Sequence, residues 1–488
     1  MAKSKKNEKE KLPKELTRNA WILVIGAIAP MLDSTMVNIA INKLQSDLHT
    51  SLDMIQWAIT GYVLALAVAV PVCGYVVNHI DGKKVMQWSL LSFGLFSFLS
   101  GIAWNIDSFI TLLMTTLLMQ ITPPDKLGQL MAVVSTPIIL GPIIGPVLGG
   151  AIVSGANWHW IFYVNIPVVI IAVLLNHFYL SSFKPFNPKA KLDWFGTLLL
   201  AGGSVGLIYG MMKGSTNAKN FFNSQMITFV IIGLALFVIY GIYNRIRKNN
   251  TVLPLRFFKS KNFTAANIGI FLAGIASNGP MLLLPLFFQN TKGFTAVEAG
   301  LMLIPQGLGM MVTRPLIGKM IDRMGARPVV LVSLDISLLG TIPFIFVHEN
   351  TNLIWLGLVL FVRGMGIGGL QMPMMTDIFI GLDKQDIPGA SVGQRIIQNV
   401  GSSFGSAVIS AVVTAVVTSE IAGQMTTKLH QLAAMHTNLT PTVIARAKTS
   451  VEKAVTLNGY QIGFLVSSIV LIVIAIPAMF LSQKKVNK

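Results

Sequence analysis

Long apolar runs, each separated from the next by a short polar break, constrain this fold more than any other feature. A helix needs about 20 apolar residues to cross the roughly 30 Å hydrocarbon core of a bilayer. The segments that approach this length number fourteen and lie at approximately 20–42, 55–77, 86–104, 106–122, 130–153, 161–181, 194–212, 225–243, 264–289, 299–317, 328–347, 353–376, 399–419 and 461–482. The sequence therefore predicts an all-α integral membrane protein.

The composition excludes the main classes of soluble protein. Of 488 residues, 53% are hydrophobic and only 11% are charged, whereas soluble domains carry about a quarter charged residues. A single cysteine, Cys73, rules out an intrachain disulfide scaffold. The net charge of +18 is distributed between apolar runs rather than on one soluble module, so no nucleic-acid partner is expected. The sequence has no G-x-x-x-x-G-K-[ST] loop and no zinc or nucleophile motif, so neither an ATP-driven pump nor an enzyme is predicted.

The positions of Lys and Arg predict the orientation, because short cytoplasmic loops retain these residues. Most of the 37 basic residues face the cytoplasm if both termini do, including the six between Arg245 and Lys261. We therefore expect a multi-pass protein of the plasma membrane, in contact with the lipid bilayer. Residues 1–19 and 483–488 would be cytoplasmic tails, and 420–460 an extracellular loop, in outline an amphipathic hairpin.

A loop sequence occurs twice and divides the chain. The first copy follows the second span and reads Gly74-Tyr-Val-Val-Asn78-His79-Ile-Asp81-Gly82-Lys83-Lys84; the second follows the tenth span and reads Gly318-Lys319-Met-Ile-Asp322-Arg323-Met-Gly325-Ala-Arg327. The repeat predicts two six-helix bundles at 20–183 and 264–482, with two inserted spans and a basic linker at 184–263. Parallel halves of this kind place a substrate site at their interface.

Three further segments carry a family resemblance. They are Leu32-Asp33-Ser34-Thr35-Met36-Val37-Asn38-Ile39-Ala40, Gly141-Pro142-Ile-Ile-Gly145-Pro146-Val-Leu-Gly149-Gly150, and Trp158-His159-Trp160-Ile-Phe162-Tyr-Val-Asn165-Ile-Pro167. These segments resemble the motifs L-D-x-T-V-V-N-x-A, G-P-x-x-G-P-x-x-G-G and W-R-W-I-F-x-x-N-x-P of the fourteen-span drug:proton antiporters in the major facilitator superfamily. The resemblance covers about 20–482 and implies a monomer that exports lipophilic or cationic drugs in exchange for protons by alternating access, without a cofactor.

The fourth span departs from this family. Members usually carry R-x-x-Q-G-x-G there, and the segment 106–122 lacks it. Gly74 and Asp125 are 51 positions apart, whereas the corresponding Gly318 and Asp383 are 65 apart, so about fourteen residues, or four helical turns, are missing. Two alternatives to a drug exporter therefore stay open: an exporter of an endogenous metabolite, and a family member that no longer transports.

Ionisable and polar residues inside spans are the candidates for proton coupling and substrate contact, because burying them in a bilayer is costly. Asp33 comes first, since apolar surroundings favour the protonated carboxyl and let it load and release a proton; the alternative is a hydrogen bond to a neighbouring helix. Asn38 belongs to the same motif. Asp335 and Arg363 lie mid-span and either pair with each other or take part in coupling. Asp377, near a span end, is expected to be solvated.

The motif in the fifth span has a physical rationale. Glycines at four-residue spacing allow close helix approach, and a mid-helix proline bends the helix. A tight bend could seal the ion path, and plain helix packing is the alternative. The residues concerned are Gly141, Pro142, Gly145, Pro146, Gly149 and Gly150.

The repeated loop is predicted to be a cytoplasmic latch between the halves. A glycine turn, a carboxylate and arginines can pair across the two bundles as the inner side opens or closes. The residues concerned are Gly74, Gly318, Asp322, Arg323, Gly325 and Arg327.

Overall fold

The computed structural model describes residues 14–49, 76, 80–103, 145, 147–182, 193–215, 221–382, 386–434 and 440–483. All regular structure in these residues is helical, which confirms the all-α fold. The α-helices are α1 (Lys14–Ile39), α2 (Ile41–Asp47), α3 (Gly82–Gly101), α4 (Trp160–Tyr163), α5 (Asn165–Tyr179), α6 (Trp194–Ser215), α7 (Ser224–Ile246), α8 (Lys261–Asn290), α9 (Ala296–Met302), α10 (Ile304–Met324), α11 (Ala326–Thr341), α12 (Leu353–Ile378), α13 (Ile387–Ala434) and α14 (Pro441–Ala478). Short 3-10 helices occur at Leu255–Lys259 and Ile342–Phe346.

Most predicted spans coincide with observed helices. Within the described residues, nine helical segments are long and apolar enough to cross a membrane. The predicted tenth span is divided at Leu303 into α9 and α10, and the eleventh ends in a 3-10 turn. The predicted spans 55–77 and 106–122 and most of 130–153 fall outside the described residues, as does the site of the missing arginine motif.

The first half is built on contacts among α1, α3 and α5. Ile22 of α1, Phe93 of α3 and Val169 of α5 belong to one buried cluster. Asp81 caps the start of α3 by accepting a 2.8 Å hydrogen bond from the backbone N–H of Lys83. The same end of α3 is bound to the end of α5, because Lys83 Nζ donates to the carbonyl of His177 at 2.8 Å. These contacts hold the three helices together at the end of α5 that is opposite Asn165.

The two inserted helices, α6 and α7, pack on each other through glycine. A Cβ on Gly206 would lie 2.9 Å from the Cα of Gly233, a separation that real Cβ atoms do not show. The pair then packs on the second half, where Met211 and Met226 form a cluster with Ala407 of α13. The inserted helices are thus a peripheral layer on the second half.

Helices α13 and α14 are much longer than a bilayer requires. They contain 48 and 38 residues, or about 72 and 57 Å of helix. The segment 420–460, predicted as a loop, is helical on both sides of 435–439. Asn458 Nδ2 joins the two helices at the base of this extension by donating to both carboxylate oxygens of Glu420, at 2.9 and 3.0 Å. The segment is helical because its polar residues continue the helical backbone of the two spans, and its extracellular location stays a prediction.

The helical extension is also fixed to the outer loops of the second half. Lys453 forms a 3.1 Å ion pair with Glu349, and Gln461 Nε2 donates to the carbonyl of Val347 at 2.7 Å. Lys292, which follows α8, donates to the carbonyl of Thr351 at 2.9 Å. These contacts make the end of the second half a single rigid cap.

Candidate functional site

Asp33 lies at the centre of a buried polar network in the first half. Its side chain is 1% exposed, and Oδ1 accepts a 2.8 Å hydrogen bond from Asn165 Nδ2. The same amide nitrogen lies 3.1 Å from Ser97 Oγ, which donates to the carbonyl of Phe162 at 3.1 Å. The network joins α1, α3 and α5.

The carboxylate of Asp33 can accept further hydrogen bonds. Within the described part of the chain, Oδ2 is buried without a hydrogen-bond partner, and so is the side-chain amide oxygen Oδ1 of Asn165. Among the described residues no lysine or arginine pairs with Asp33. An isolated buried carboxylate is strongly unfavourable, so a bound proton or a nearby cation would stabilise this group. Asn38 lies in the same helix, and the structure describes its backbone alone.

The glycines of the fifth-span motif mark two close contacts. A Cβ on Gly149 would lie 3.0 Å from the Cα of Met36, three residues after Asp33. A Cβ on Gly150 would lie 2.8 Å from the carbonyl of Ala296 in α9, which belongs to the second half. Gly145 is helical and buried, whereas Gly141, Pro142 and Pro146 lie outside the described residues. The motif therefore brings α1 and the second half against one helix.

Arg363 is buried in the second half, where glycines allow three helices to converge. A Cβ on Gly340 of α11 would collide with the backbone of Arg363, and a Cβ on Gly364 would collide with the carbonyl of Gln306 in α10. The guanidinium is 0% exposed, and Nη1 donates to Gln306 Oε1 at 2.9 Å. Nε and Nη2 find no hydrogen-bond partner among the residues that the structure describes.

Asp335 does not pair with Arg363, contrary to one of the two sequence-based readings. The face of α11 that packs on α12 carries Ser337 and Gly340, which lie against Gly366 and Arg363. Asp335 is two residues from Ser337, about 200° around the helix, and it is exposed. The helix period therefore turns Asp335 away from the buried guanidinium.

The cytoplasmic latch residues of the second half are all described. Gly325 ends α10 with φ +82°, a conformation that favours glycine. Asp322 and Arg323 are exposed and make no ion pair with another described residue. A Cβ on Gly318 would meet only the Met372 methyl group, at 4.0 Å.

The remaining latch residues differ in what the structure describes. The backbone N–H of Arg327 donates to the carbonyl of Ser482 at 3.0 Å. Gly74, which was predicted to belong to the corresponding latch of the first half, lies outside the described residues.

Asp377 is buried rather than solvated, which corrects the sequence-based expectation. Its side chain is 0% exposed, and Oδ2 accepts a 3.1 Å hydrogen bond from the backbone N–H of Ser482. Ser482 Oγ donates to the other carboxylate oxygen. The segment after α14 folds over this end of α12 and replaces water as the donor.

Amide side chains form a second polar group that the sequence analysis did not single out. Gln394 Nε2 donates to Gln398 Oε1 at 3.0 Å, and Gln398 Nε2 lies 3.4 Å from Gln371 Oε1. Asn278 of α8 donates to Ser402 Oγ at 3.0 Å. The four-residue spacing of 394, 398 and 402 in α13 is the sequence signal that identifies this group.

Three residues of the two charged sites were also not selected from the sequence. They are Asn165, Ser97 and Gln306. Asn165 stands in a motif that resembles the family pattern, so its position was a usable signal, whereas nothing in the local sequence distinguishes Ser97 or Gln306. The structure contains no group of three or more His, Cys, Asp or Glu with metal-binding geometry in the part of the chain that it describes.

His159 stands where the sixth-span motif usually has arginine. Its ring stacks on Trp158 with centroids 3.7 Å apart, and burial lowers its pKa from 6.5, against the opposing charge of Asp47. Asp47 is the last residue of the short helix α2, which follows α1. His159 precedes the predicted span at 161–181, so its ring lies just outside the membrane-spanning part of the first half.

Comparisons with known proteins agree with this architecture. A Multidrug resistance protein B homolog from Mycobacterium tuberculosis is 29% identical over 380 residues, which are 75% of this chain and 70% of that protein. The Multidrug export protein EmrB of Escherichia coli is 26% identical over 395 residues, covering 76% and 74% of the two chains.

Solved structures show the same fold at low identity. A bacterial homologue of the human lysosomal transporter Spinster, in an inward-facing conformation, has a TM-score of 0.59 at 12% identity and covers 96% of this chain and 98% of that one. The human organic anion transporter MFSD10 has a TM-score of 0.57 at 12% identity, with 94% and 100% coverage. A sequence profile of the Major Facilitator Superfamily matches residues 23–406. With helical halves, spans and motifs in the expected order, the chain belongs to the Major Facilitator Superfamily of membrane transporters.

Proposed function

We propose that the chain is a proton-coupled exporter of lipophilic cations and related drugs. The observation that carries the proposal is Asp33, a carboxyl group that is 1% exposed and has one oxygen without a partner among the described residues. A proton or a substrate cation satisfies this group, and both cannot do so at once, so loading one releases the other. The names of the Mycobacterium tuberculosis and Escherichia coli relatives support a drug substrate.

Asn165 and Ser97 act in this scheme as positioning residues. Their bonds of 2.8 and 3.1 Å hold the carboxyl group of Asp33 in one orientation between α1, α3 and α5. Because Asn165 approaches Oδ1, the free Oδ2 is the oxygen that receives the proton or contacts the cation.

Alternating access between the halves exposes Asp33 to one side at a time. Gly150 lies against α9, and Leu282 of α8 packs on the cluster of the first half that contains Met36. Both contacts are on the predicted extracellular side, whereas Asp322 and Arg323 on the predicted cytoplasmic side are exposed. These contacts support a cycle in which the outer ends separate as the latch residues pair.

The proposed organisation follows the predicted bundles at 20–183 and 264–482, with the inserted helices and linker at 184–263 and both termini in the cytoplasm. A variant with Cys73→Ser and one new cysteine, at Ser260 in the linker or Thr427 in the helical extension, tests the orientation. A membrane-impermeant thiol reagent applied to intact cells should label only the position 427 variant. Labelling at 260 alone would refute the orientation.

Efflux of a fluorescent lipophilic cation from pump-deficient cells tests the function. We expect efflux that a proton uncoupler abolishes, and loss of efflux in Asp33→Asn at equal membrane expression. Asp47→Asn is the control, because it removes an exposed carboxylate of the same half that lies outside the predicted spans and should keep efflux. Uncoupler-resistant efflux, or full activity of Asp33→Asn, would contradict the proposal.

If the wild-type protein shows no efflux, one further experiment is needed. Suppose that the chain is in the membrane and exports none of a panel of cations. If the fourth span is defective, restoring about fourteen residues with the arginine motif to 106–122 should start efflux. Continued silence of that variant would refute drug export and favour a different, endogenous substrate.

A further inference from the structure

The linker between α7 and α8 carries an unusual density of cations. Six basic residues lie between α7's last turn and α8's first residue: Arg245, Arg247, Lys248, Arg256, Lys259 and Lys261. All six are exposed. Arg256 pairs with Asp386 at 2.6 Å, and Arg247 donates to the hydroxyl of Tyr243 at 3.1 Å. The other four form no ion pair with a described residue.

The backbone of this linker is held rigidly against α7. Leu253 and Phe257 are buried, at 5% and 3% exposure. The hydroxyl of Tyr240 donates to the carbonyl of Leu253 and accepts from its N–H, each at 2.9 Å. Asn244 Nδ2 donates to the same carbonyl at 3.1 Å. The backbone that carries Arg256 and Lys259 is therefore anchored beside the end of α7.

An apolar surface leads directly to these cations. Four side chains at four-residue spacing along α7 are strongly exposed: Leu234 at 52%, Val238 at 63%, Ile242 at 57% and Ile246 at 73%. They form a continuous stripe on the lipid-facing side of the helix, which ends beside Arg245. The stripe offers a contact for acyl chains and the linker offers one for a charged headgroup.

Trp194 marks the level of the membrane interface next to this stripe. It begins α6 and is 70% exposed, and exposed tryptophans are enriched at the headgroup level of bilayers. The neighbouring Asp193 accepts from the hydroxyl of Tyr243 at 2.6 Å, so this end of α6 is fixed to the last turns of α7. The cations of the linker thus lie at headgroup depth.

We propose that the linker and the exposed stripe of α7 form a binding site for an anionic phospholipid. The phosphate diester contacts Arg245 and Lys248 on one side and Lys259 and Lys261 on the other, and the acyl chains lie along Val238 and Ile242. Retention of basic residues in cytoplasmic loops explains the sign of the charge. It does not require the linker backbone to be held against α7, an arrangement that keeps the cations beside the stripe, where one lipid can contact both.

The site is also coupled to a transport helix. Asp386, the partner of Arg256, immediately precedes α13, and a Cβ on Gly389 in the first turn of α13 would lie 3.0 Å from the carbonyl of Val252 in the linker. A lipid that stabilises the linker therefore also stabilises the start of the helix that carries Gln394 and Gln398. We expect bound lipid to stabilise the folded protein.

Thermal unfolding of the purified full-length protein in a neutral detergent tests the proposal. Dioleoyl phosphatidylglycerol should raise Tm in a saturable manner, and dioleoyl phosphatidylcholine at the same concentrations should not. Glycerol phosphate at equal phosphate concentration should also fail, because it lacks the acyl chains. Equal stabilisation by the two lipids, or by glycerol phosphate, overturns the proposal without any variant.

Charge variants then locate the site. Each cation near an anionic surface contributes about fivefold in affinity, so Arg245→Gln with Lys248→Gln should raise the half-saturating phosphatidylglycerol concentration at least tenfold. Lys259→Gln with Lys261→Gln tests the other side independently, which keeps the measurement decisive if one pair fails to fold.

Two controls separate site binding from bulk charge. Arg245→Lys with Lys248→Arg keeps the charge and should bind normally. Lys428→Gln with Arg446→Gln removes two exposed cations from the helical extension of α13 and α14 and should also bind normally. Equal weakening by this last pair and by the linker pairs would overturn the assignment.

Discussion

The hydrogen bond between Gln306 and Arg363 predicts a measurable energetic coupling. Arg363 is 0% exposed and its one described partner is Gln306, at 2.9 Å. A hydrogen bond to a charged group contributes about 1.5–3 kcal/mol, and loss of one partner exposes the desolvation cost of the other. Gln306→Ala should therefore lower the free energy of unfolding by about 2–3 kcal/mol.

The effect should disappear when the buried charge is removed. Replacement of a buried ionic group by an apolar residue of similar volume is often neutral or stabilising, and Nε and Nη2 of Arg363 already lack partners. Arg363→Met should therefore cost little. In that background Gln306→Ala should cost about 1 kcal/mol or less, which gives a coupling of about 1–2 kcal/mol.

Unfolding by sodium dodecyl sulfate in mixed micelles measures the four corners of this double-mutant cycle. Gln461→Ala is the matched control, because Gln461 donates at 2.7 Å to Val347, outside the Arg363 contact, and its cost should be the same in both backgrounds. Equal costs of Gln306→Ala with and without Arg363 would refute the argument that the amide supports a buried cation.

Three further predictions concern stability. Because the pKa of His159 is lowered in the folded protein, the unfolded chain binds more protons than the folded one just below pH 6.5. The free energy of unfolding should therefore fall as the pH drops through that region. His159→Gln should flatten this pH dependence in unfolding measured at several pH values. Asp377→Ala should cost about 2–3 kcal/mol in detergent unfolding, and Ser482→Ala should then add little, because the carboxylate that accepts from the Ser482 hydroxyl is already gone. Gly206→Leu should lower Tm by forcing α6 from α7, whereas Gly241→Ala, whose nearest neighbour is a methyl group at 3.8 Å, should not.

The membrane fold was predictable because apolar length and helix formation report on the same property. The runs at 264–289 and 353–376 correspond to Lys261–Asn290 and Leu353–Ile378. The segment 420–460 was not predictable in this way, since it has no continuous apolar run, and its helices continue from spans that are stabilised elsewhere. Where hydrophobicity decides the structure the sequence is informative, and where a neighbouring helix decides it the sequence is not.

The residues of the candidate site also differ in how far the sequence predicts them. A carboxylate in an apolar span, Asp33, can be identified from composition alone, because bilayer burial has few explanations. Its partner Asn165 is 132 residues away, and Gln306 is 57 residues from Arg363. These contacts depend on how helices meet, which a local pattern does not contain. Asp377 is the opposite case. Its place near a span end predicted contact with water, but in the structure the segment at Ser482 covers the carboxylate and donates a hydrogen bond to it.

Because α13 is so long, a small tilt of this helix moves its outer end by a large distance. A rod of about 72 Å that tilts by roughly 10° displaces its far end by about 12 Å, several times the movement near Gln398. The bonds of Asn458 to Glu420 keep the two rods together, so both report the same motion. A tilt of the second half as one body would therefore be large enough at this end to measure from outside with a pair of spectroscopic labels.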